Sequence, residues 1–521
     1  MFSLINISYD LNGVGNKMDR KNNSLKFGIL CKNIILECFS NTTFHALPNI
    51  VKPNNHLVLK LIWFVCLLAC AVYCFINCVS QFEKYYSYPT SIMISNVQEV
   101  PTDFPVISIC NIKLLNRSNP YTISYMSKTP EVKLASHYLL RFVFSNDKTL
   151  SFENRTELGF KIEDMLVFQP PNYWCNYNND FCDPSHFTYF YNQAYGNCYS
   201  FNIGYYSNGT KYKIKKSSTS DKMYGLMIAL FVGDPIIDTV KEESDGVVIS
   251  IHNQSIAPFT KGKPILVPSG AETDLIINRN YITKLASPYG DCLDDTSENS
   301  SFTSQYFDYI VRTLKQGYTQ EYCYSFCLQK QTIKYCGCSN SYLPVFLNTK
   351  EYCANVTQYS CVWSVNEKYG NEFTDHCKSS CPFECFSIEY KVASSRALYP
   401  TVYKLNSLLY KYNYSQRITN IQYASQAFLR LNIYYDSMEY TTTTETAQML
   451  QADLFSNFGG TLGLFLGIAV TFIIMTPKKN RIFIHEFKRY YSKISKSCGV
   501  MRRYAGNLRF FPGLKNMCLT K

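Results

Sequence analysis

Two stretches of this chain carry no charged residue for long enough to cross a bilayer. The first runs from Leu61 to Phe82 (LIWFVCLLACAVYCFINCVSQF) and the second from Leu454 to Thr476 (LFSNFGGTLGLFLGIAVTFIIMT). A hydrocarbon core of ~30 Å takes ~20 helical residues, so each run is predicted to span the membrane once. The first is a poor removable leader, because it starts deep in the chain and lacks a small-residue cleavage site. Between the spans the pattern changes. Phe104–Cys110 and Gly246–His252 read as strands bounded by turns rich in Asn, Ser and Gly. From Ser304 to Tyr342 the spacing is helical, with closely placed cysteines that predict helices tied by disulfides. From Phe428 to Tyr435 (FLRLNIYY) alternation returns, and a strand there leads toward the second span. No internal repeat or low-complexity linker interrupts the region. The expected fold class is α+β: a mixed ectodomain between two transmembrane helices.

Composition narrows the reading. A mean hydropathy slightly below zero excludes a polytopic transporter, since most of the chain must be wet. The net charge of +12 suggests nucleic acid until its distribution is considered. Residues 1–60 carry seven Lys/Arg against three acids, and residues 477–521 carry twelve against Glu486 alone. Basic ends around a mildly acidic middle point to a membrane protein, not a nucleic-acid binder. Lys52 and Lys60 precede the first span, and Lys478, Lys479 and Arg481 follow the second. By the positive-inside rule residues 1–60 form a cytoplasmic segment, 61–82 the first helix, 83–452 an extracellular domain, 453–476 the second helix and 477–521 a basic cytoplasmic tail. That tail, with Lys488 and Arg489, is expected to meet the anionic lipid of the inner leaflet.

Sequons occur at Asn116, Asn154, Asn208, Asn253, Asn299, Asn355 and Asn413, but also at Asn6, Asn22 and Asn41 on the predicted inner side, so glycosylation signals add little. Cysteine says more. Of 22 cysteines, Cys31, Cys38, Cys66, Cys70, Cys74, Cys78, Cys498 and Cys518 lie in the tails or first span, which leaves 14 outside. An even number in an oxidising compartment predicts pairing. Cys323/Cys327 and Cys336/Cys338 lack interleaved histidines and read as disulfide partners, not zinc ligands. No metal, nucleotide or organic cofactor is implied.

Several motifs, in order between the two spans, resemble the degenerin/epithelial sodium channel/acid-sensing ion channel family over about residues 40–476. SNTTFHALPNI is similar to the family's His-Gly segment, FPVISICN (Phe104–Asn111) to its Phe-Pro strand, and YGNCYSFN (Tyr195–Asn202) to its Tyr-Gly-x-Cys motif. PYGDC (Pro288–Cys292) and CKSSCPFEC (Cys377–Cys385) bracket a cysteine-rich region, and GGTLGLFLG (Gly459–Gly467) is the most specific match. The resemblance implies a plasma-membrane channel passing Na⁺, built as a homo- or heterotrimer around one pore, amiloride-sensitive and ligand-gated. It implies an ectodomain with a β-sheet palm and a helical thumb. It also implies the pairing Cys110–Cys198, Cys175–Cys182, Cys292–Cys385, Cys323–Cys381, Cys327–Cys377, Cys336–Cys361 and Cys338–Cys353.

The candidate pore residues follow. Gly459, Gly463 and Gly467 form two overlapping GxxxG steps, with Gly460 beside the first, that allow close helix approach, or plain helix packing. Four glycines in nine residues also weaken the helix, by ~1 kcal/mol each relative to alanine, which permits a carbonyl-exposing break of the kind filters use. The family's Gly-x-Ser filter corresponds to Gly467-Ile468-Ala469, without the serine, and Met475 stands where the family usually carries an acid. Asp453 is either a substitute cation attractor or an ordinary interfacial residue. The His-Gly pair is His45-Ala46 here, and alanine gives up the positive φ that glycine tolerates. Ser456 occupies the site where the family wants a small side chain and bulk holds the pore open. Tyr88 and Tyr289 match aromatics that couple the thumb to the pore, or simply pack.

Other functions are weaker readings. No Gly-x-Ser-x-Gly elbow, His-Glu-x-x-His helix or phosphate loop is present, so an enzyme is not expected. The altered His45-Ala46, Ala469 and Met475 keep a non-conducting or heteromer-only auxiliary subunit in view. An adhesion or trafficking glycoprotein would have no use for GGTLGLFLG. Few histidines lie in the ectodomain, which disfavours acid gating.

Overall fold

The structure, a computed structural model, describes residues 39–40, 46–129, 152–169, 171–192, 194–206, 208–235, 237, 244–260, 264–344, 351–353, 355–405 and 421–467. They fall into two compact units: residues up to 89 together with those from 448 onward, and residues 90–447.

The first unit is helical. Helix α1 (Leu57–Tyr86) covers the predicted 61–82 span with about a turn to spare at each end. It is the one helix among the described residues long and apolar enough to cross a membrane. Leu61, Phe64, Leu68, Phe75 and Ile76 along it are exposed in the single chain, as side chains that face hydrocarbon would be. The described part of the second predicted span belongs to a helix over Gln451–Leu466, which stops at Gly467.

The second unit holds two large sheets, two two-stranded ones (Thr102–Asp103 with Lys216–Ser217, and Phe168–Gln169 with Asn172–Tyr173) and a helical layer. The strands of the two large sheets in chain order are β1 (Thr90–Gln98), β2 (Val106–Asn111), β3 (Cys175–Tyr177), β4 (Asp180–Phe181), β5 (Phe187–Asn192), β6 (Gly196–Phe201), β7 (Leu226–Phe231), β8 (Gly246–His252), β9 (Ile265–Pro268), β10 (Ala271–Thr283), β11 (Phe386–Leu398) and β12 (Phe428–Ala447). The seven-stranded sheet runs β11-β10-β12-β7-β3-β4, with β1 paired to the far half of β12. The five-stranded sheet runs β9-β8-β2-β6-β5. The core lies between them. Leu275, Ile277, Leu431 and Ile433 from the larger sheet meet Ile107, Ile109, Val247 and Ile249 from the smaller, with Phe104, Phe201 and Tyr177 filling one end.

Two boundaries differ from the sequence reading, each for a local reason. Strand β2 starts at Val106, because Pro105 has no N–H to give a ladder; Phe104 instead bonds through its N–H to the Lys215 carbonyl at 3.0 Å. Strand β12 does not stop at Tyr435 but continues twelve residues to Ala447. Its second half (TTTTETA) is polar, so hydrophobic alternation fades, yet its β-branched threonines suit a strand. Their hydroxyls pair across to β1: Thr446 with Ser91 at 2.9 Å and Thr442 with Ser95 at 2.6 Å.

The predicted helical, cysteine-rich stretch forms α2 (Gln320–Cys336), which packs on α3 (Val356–Lys378). Thr319 caps α2 by accepting from the Tyr322 N–H at 3.2 Å, and Gly337 closes it at φ 71°. The i,i+4 spacing puts Cys323 and Cys327 on one face, where both are buried and bonded to Cys381 and Cys377. Cys336–Cys361, Cys338–Cys353 and Cys292–Cys385 continue this ladder, while Cys110–Cys198 and Cys175–Cys182 staple the sheets.

Candidate functional site

The Gln451–Leu466 helix, α4, has two faces set by its sequence. Asn457, Phe458 and Phe465 turn toward α1: the Asn457 amide reaches Gln81 at 3.5 Å, and the rings of Phe458 and Phe465 lie 4.4 Å from Phe82 and 4.8 Å from Tyr73. At 100° per residue, Asp453, Ser456, Gly460, Gly463 and Gly467 fall on the side opposite the two rings, a 3-4-3-4 stripe of small or acidic residues with Asn457 at its edge. Ser456 is exposed, and a Cβ added at Gly460 would meet nothing within 4 Å. Gly459, four residues before Gly463, flanks this stripe.

At the C-terminal end of the described helix, Gly467 takes the left-handed conformation (φ 72°, ψ 20°), its N–H still bonded to the Gly463 carbonyl at 3.0 Å. An L side chain there would be strained, so this glycine ends the helix where the resemblance places the filter. Ile468, Ala469 and Met475 lie outside the described residues, as does His45. Ala46 is buried and precedes a short helix (Leu47–Val51) with φ −97°, ψ −30°. That is ordinary backbone for alanine. Asp453 has a local task as well: its Oδ2 accepts from the Leu450 N–H at 2.9 Å, capping α4.

Tyr88 adopts φ 48°, the left-handed region, in the turn that ends α1, with its ring 6.4 Å from Tyr85. Tyr289 lies in the turn after β10, its N–H donating to the Ala286 carbonyl at 3.1 Å. Among the sequons, Asn208, Asn299 and Asn355 are exposed, Asn154 and Asn253 are half-buried, and Asn413 lies outside the described residues. Asn116 departs from the expectation of a surface glycan. It is buried, and its Nδ2 donates to Asp164 Oδ2 at 3.3 Å, so the folded domain does not present that nitrogen to solvent.

YGNCYSFN proves to be a structural clamp in which five residues have identifiable tasks. Gly196 is left-handed against Leu114, Asn197 donates to the Thr156 carbonyl at 2.8 Å, Cys198 pairs with Cys110, and the Tyr199 hydroxyl donates to the Phe160 carbonyl at 3.0 Å. Asn202, at φ 65° and fully buried, bridges the Phe104 and Lys215 main chains.

Two buried groups escaped the sequence reading. Arg279 sits at the bulge where β10 and β12 shift register, its guanidinium 5.1 Å from the Tyr281 ring and 4.9 Å from Tyr440, and ion-paired to Glu99. Burial raises the Glu99 carboxyl, but hydrogen bonds from Thr102 and Arg279 and the guanidinium charge outweigh it and hold the group below its ordinary value. The one available signal was an Arg inside an alternating run.

His252 is the other. Its Nδ1 lies 2.9 Å from the Asn253 carbonyl, which can only accept, so Nε2 is left to accept from the Ser108 hydroxyl at 2.9 Å. Burial depresses the imidazole from 6.5 to about 4, outweighing backbone hydrogen bonds at Asn253 and Ile256 that favour the charge. The unfolded chain therefore binds the extra proton between pH 6.5 and 4, and folding stability falls as pH falls through that window. The full loss is about 3 kcal/mol. Melting of the full-length protein across that range is expected to show the slope, and His252→Gln to flatten it. A neutral imidazole at neutral pH also gives this residue no role as a sensor of mild acid.

Comparison with known proteins places these features. The amiloride-sensitive sodium channel family model matches residues 38–474. The epithelial sodium channel subunit beta of Xenopus laevis is 26% identical over 400 residues, covering 75% of this chain and 58% of that one. The gamma-2 subunit of the same species is 26% identical over 327 residues, 62% of this chain and 46% of that one. The bile acid-sensitive ion channel of Homo sapiens is 24% identical over 459 residues, 83% of each. The chain thus spans about half the length of the epithelial subunits it matches. With the family model running from before α1 through the glycine-rich helix and beyond, the chain belongs to the amiloride-sensitive sodium channel family.

Proposed function

We propose that this chain is one subunit of a trimeric, amiloride-sensitive, ligand-gated sodium channel of the plasma membrane, crossing it twice with both termini cytoplasmic. Residues 1–60 and 477–521 are the cytoplasmic parts, 61–82 and 453–476 the spans, and 83–452 the extracellular domain. The seven-stranded sheet serves as the palm and the α2–α3 pair as the thumb. The observation that carries the reading is the α4 stripe. Asp453, Ser456, Gly460, Gly463 and Gly467 turn away from α1, which leaves a small-residue face for identical or homologous subunits and for permeant Na⁺. In this reading Gly467-Ile468-Ala469 is the filter, where backbone carbonyls replace part of the ion's hydration. His45-Ala46 lies at the cytoplasmic entrance, and Tyr88 and Tyr289 couple the ectodomain to the gate.

The test is whole-cell current from the chain expressed alone, with external sodium exchanged for a large impermeant cation and amiloride then added. An inward current that vanishes without sodium and is blocked by amiloride is the expected result. Surface protein without current, in wild type and in a variant with an enlarged Ser456, would instead make this a heteromer-only or auxiliary subunit.

A further inference from the structure

The register of a strand is normally set by hydrophobic alternation, because a slip that turns apolar side chains to water is costly. The first half of β12 has that protection, with Leu429, Leu431 and Ile433 in the core. Its second half, residues 440–447, does not. Threonine occupies 441, 442, 443, 444 and 446, and β1 carries Ser91 and Ser95 four residues apart. Ser95 stands opposite Thr442, and Ser91 opposite Thr446. A slip of two residues puts Thr444 opposite Ser95 or, in the other direction, opposite Ser91. The backbone ladder and one hydroxyl pair survive either way. The core half need not move, because the bulge can take up or release chain: β10 advances from Ile277 to Arg279 while β12 advances from Tyr435 to Tyr440.

Arg279 stands at this break, where one side chain meets three strands. It belongs to β10, its guanidinium is ion-paired to Glu99, the residue after β1, and it lies 4.9 Å from the Tyr440 ring of β12. The Tyr281 ring closes the cage at 5.1 Å. The Arg279 side chain is 5% exposed, so its charge depends on these partners rather than on water. Slipping β12 by two residues replaces Tyr440 with Met438 or Thr442, and the cation loses a ring. The hydroxyl bonds of Thr441 with Asn96 and of Thr443 with Asn280 can be repeated by other threonines of the run. Glu445, accepting from the Leu285 N–H at 3.1 Å, is a second anchor near the end of the strand.

We propose that Arg279 is a positioning residue that sets the register of the polar half of β12 against β1 and β10. Residues 448–450 alone separate that strand from α4. At ~3.4 Å per residue, a slip of two would change the length of chain leading into the helix by about 7 Å. The assignment concerns residues 90–447 and holds whether or not the channel conducts.

Disulfide trapping in the purified full-length protein reads the register directly. Ser95→Cys/Thr442→Cys reports the observed pairing, and Ser95→Cys/Thr444→Cys and Ser91→Cys/Thr444→Cys report the two slips. After brief oxidation with diamide, peptide mapping by mass spectrometry quantifies each link. With Arg279 present, the first link is expected to form and the slipped ones to be about tenfold rarer. Arg279→Met fills the cage without leaving a charge unpaired, and it is expected to raise a slipped link about tenfold relative to the first. Arg279→Lys, which keeps the charge, is expected to stay near the parent. Tyr440→Leu leaves the ion pair in place and is expected to act in the same direction as Arg279→Met, which covers the case in which that variant does not fold. An Arg279 that only stabilised the fold would lower the thermal midpoint without changing the ratio of links. An unchanged ratio in Arg279→Met, or in Tyr440→Leu where Arg279→Met does not fold, would overturn the proposal. So would slipped links as abundant as the observed one in the parent. An equal shift from Glu445→Ala would also overturn it, by placing the control of register at the end of the strand.

Discussion

Ser456→Trp is expected to turn on a large amiloride-blocked sodium current that needs no stimulus. Ser456 is exposed on α4, on the side away from Phe458 and Phe465, which pack on α1. An indole there does not disturb the α1 contact; it occupies space at the mouth of the stripe, one turn before Gly460. If three such stripes close around one axis, they cannot approach with a bulky ring at this level, and the open arrangement becomes the more stable. A shift of ~2.7 kcal/mol between closed and open states raises open probability about a hundredfold from a low starting value. Whole-cell recording before and after amiloride measures it. A silent Ser456→Trp channel at normal surface abundance would remove the gating role assigned to this position.

The second large effect concerns the unit of residues 90–447. Replacing Cys110 and Cys198 together by serine is expected to cost about 4 kcal/mol, because the bond closes a loop of 88 residues. Both cysteines are fully buried and directly opposite one another on β2 and β6, at the centre of the five-stranded sheet. Two buried hydroxyls add to the loss unless they find partners. The thermal midpoint of the purified full-length protein should fall by roughly 5–10 °C, with less protein reaching the cell surface. The Cys336–Cys361 bond closes a loop of 25 residues, and its removal should cost about 1 kcal/mol less on chain-entropy grounds. Equal melting of wild type and the Cys110→Ser/Cys198→Ser protein would contradict the account of that sheet.

How much of this was legible in the sequence depended on whether the signal was local. The first span and the α2 helix announce themselves by composition and spacing within a few turns. Strand β8 was read with its observed bounds because its run, GVVISIH, is buried on almost every position and flanked by turn residues. By contrast, the parallel pairing of β10 with β12 joins segments more than 150 residues apart, and neither carries a mark of the other. The polar half of β12 carried no hydrophobic alternation to extend the strand, because its cross-strand partners on β1 are hydroxyls. Arg279 was not singled out because Glu99 and Tyr440, which hold it together with Tyr281 of its own strand, come from two distant segments. At the candidate site, the glycine spacing was visible early. Which face of α4 those glycines share, and that Phe458 and Phe465 take the other, emerged only with α1 in place.

The most direct test of the central claim is cysteine accessibility along α4. Ser456→Cys and Gly460→Cys lie on the stripe, and Phe455→Cys and Phe465→Cys lie off it. Each is treated from outside with a small cationic methanethiosulfonate, with wild type as the baseline for the native cysteines and with a biotin-bearing version as a readout independent of current. The account predicts that the two stripe positions react at least tenfold faster than the other two and that amiloride slows them. Faster reaction at Phe455→Cys and Phe465→Cys, or no difference among the four, would mean that this face of the second helix does not line a cation pathway.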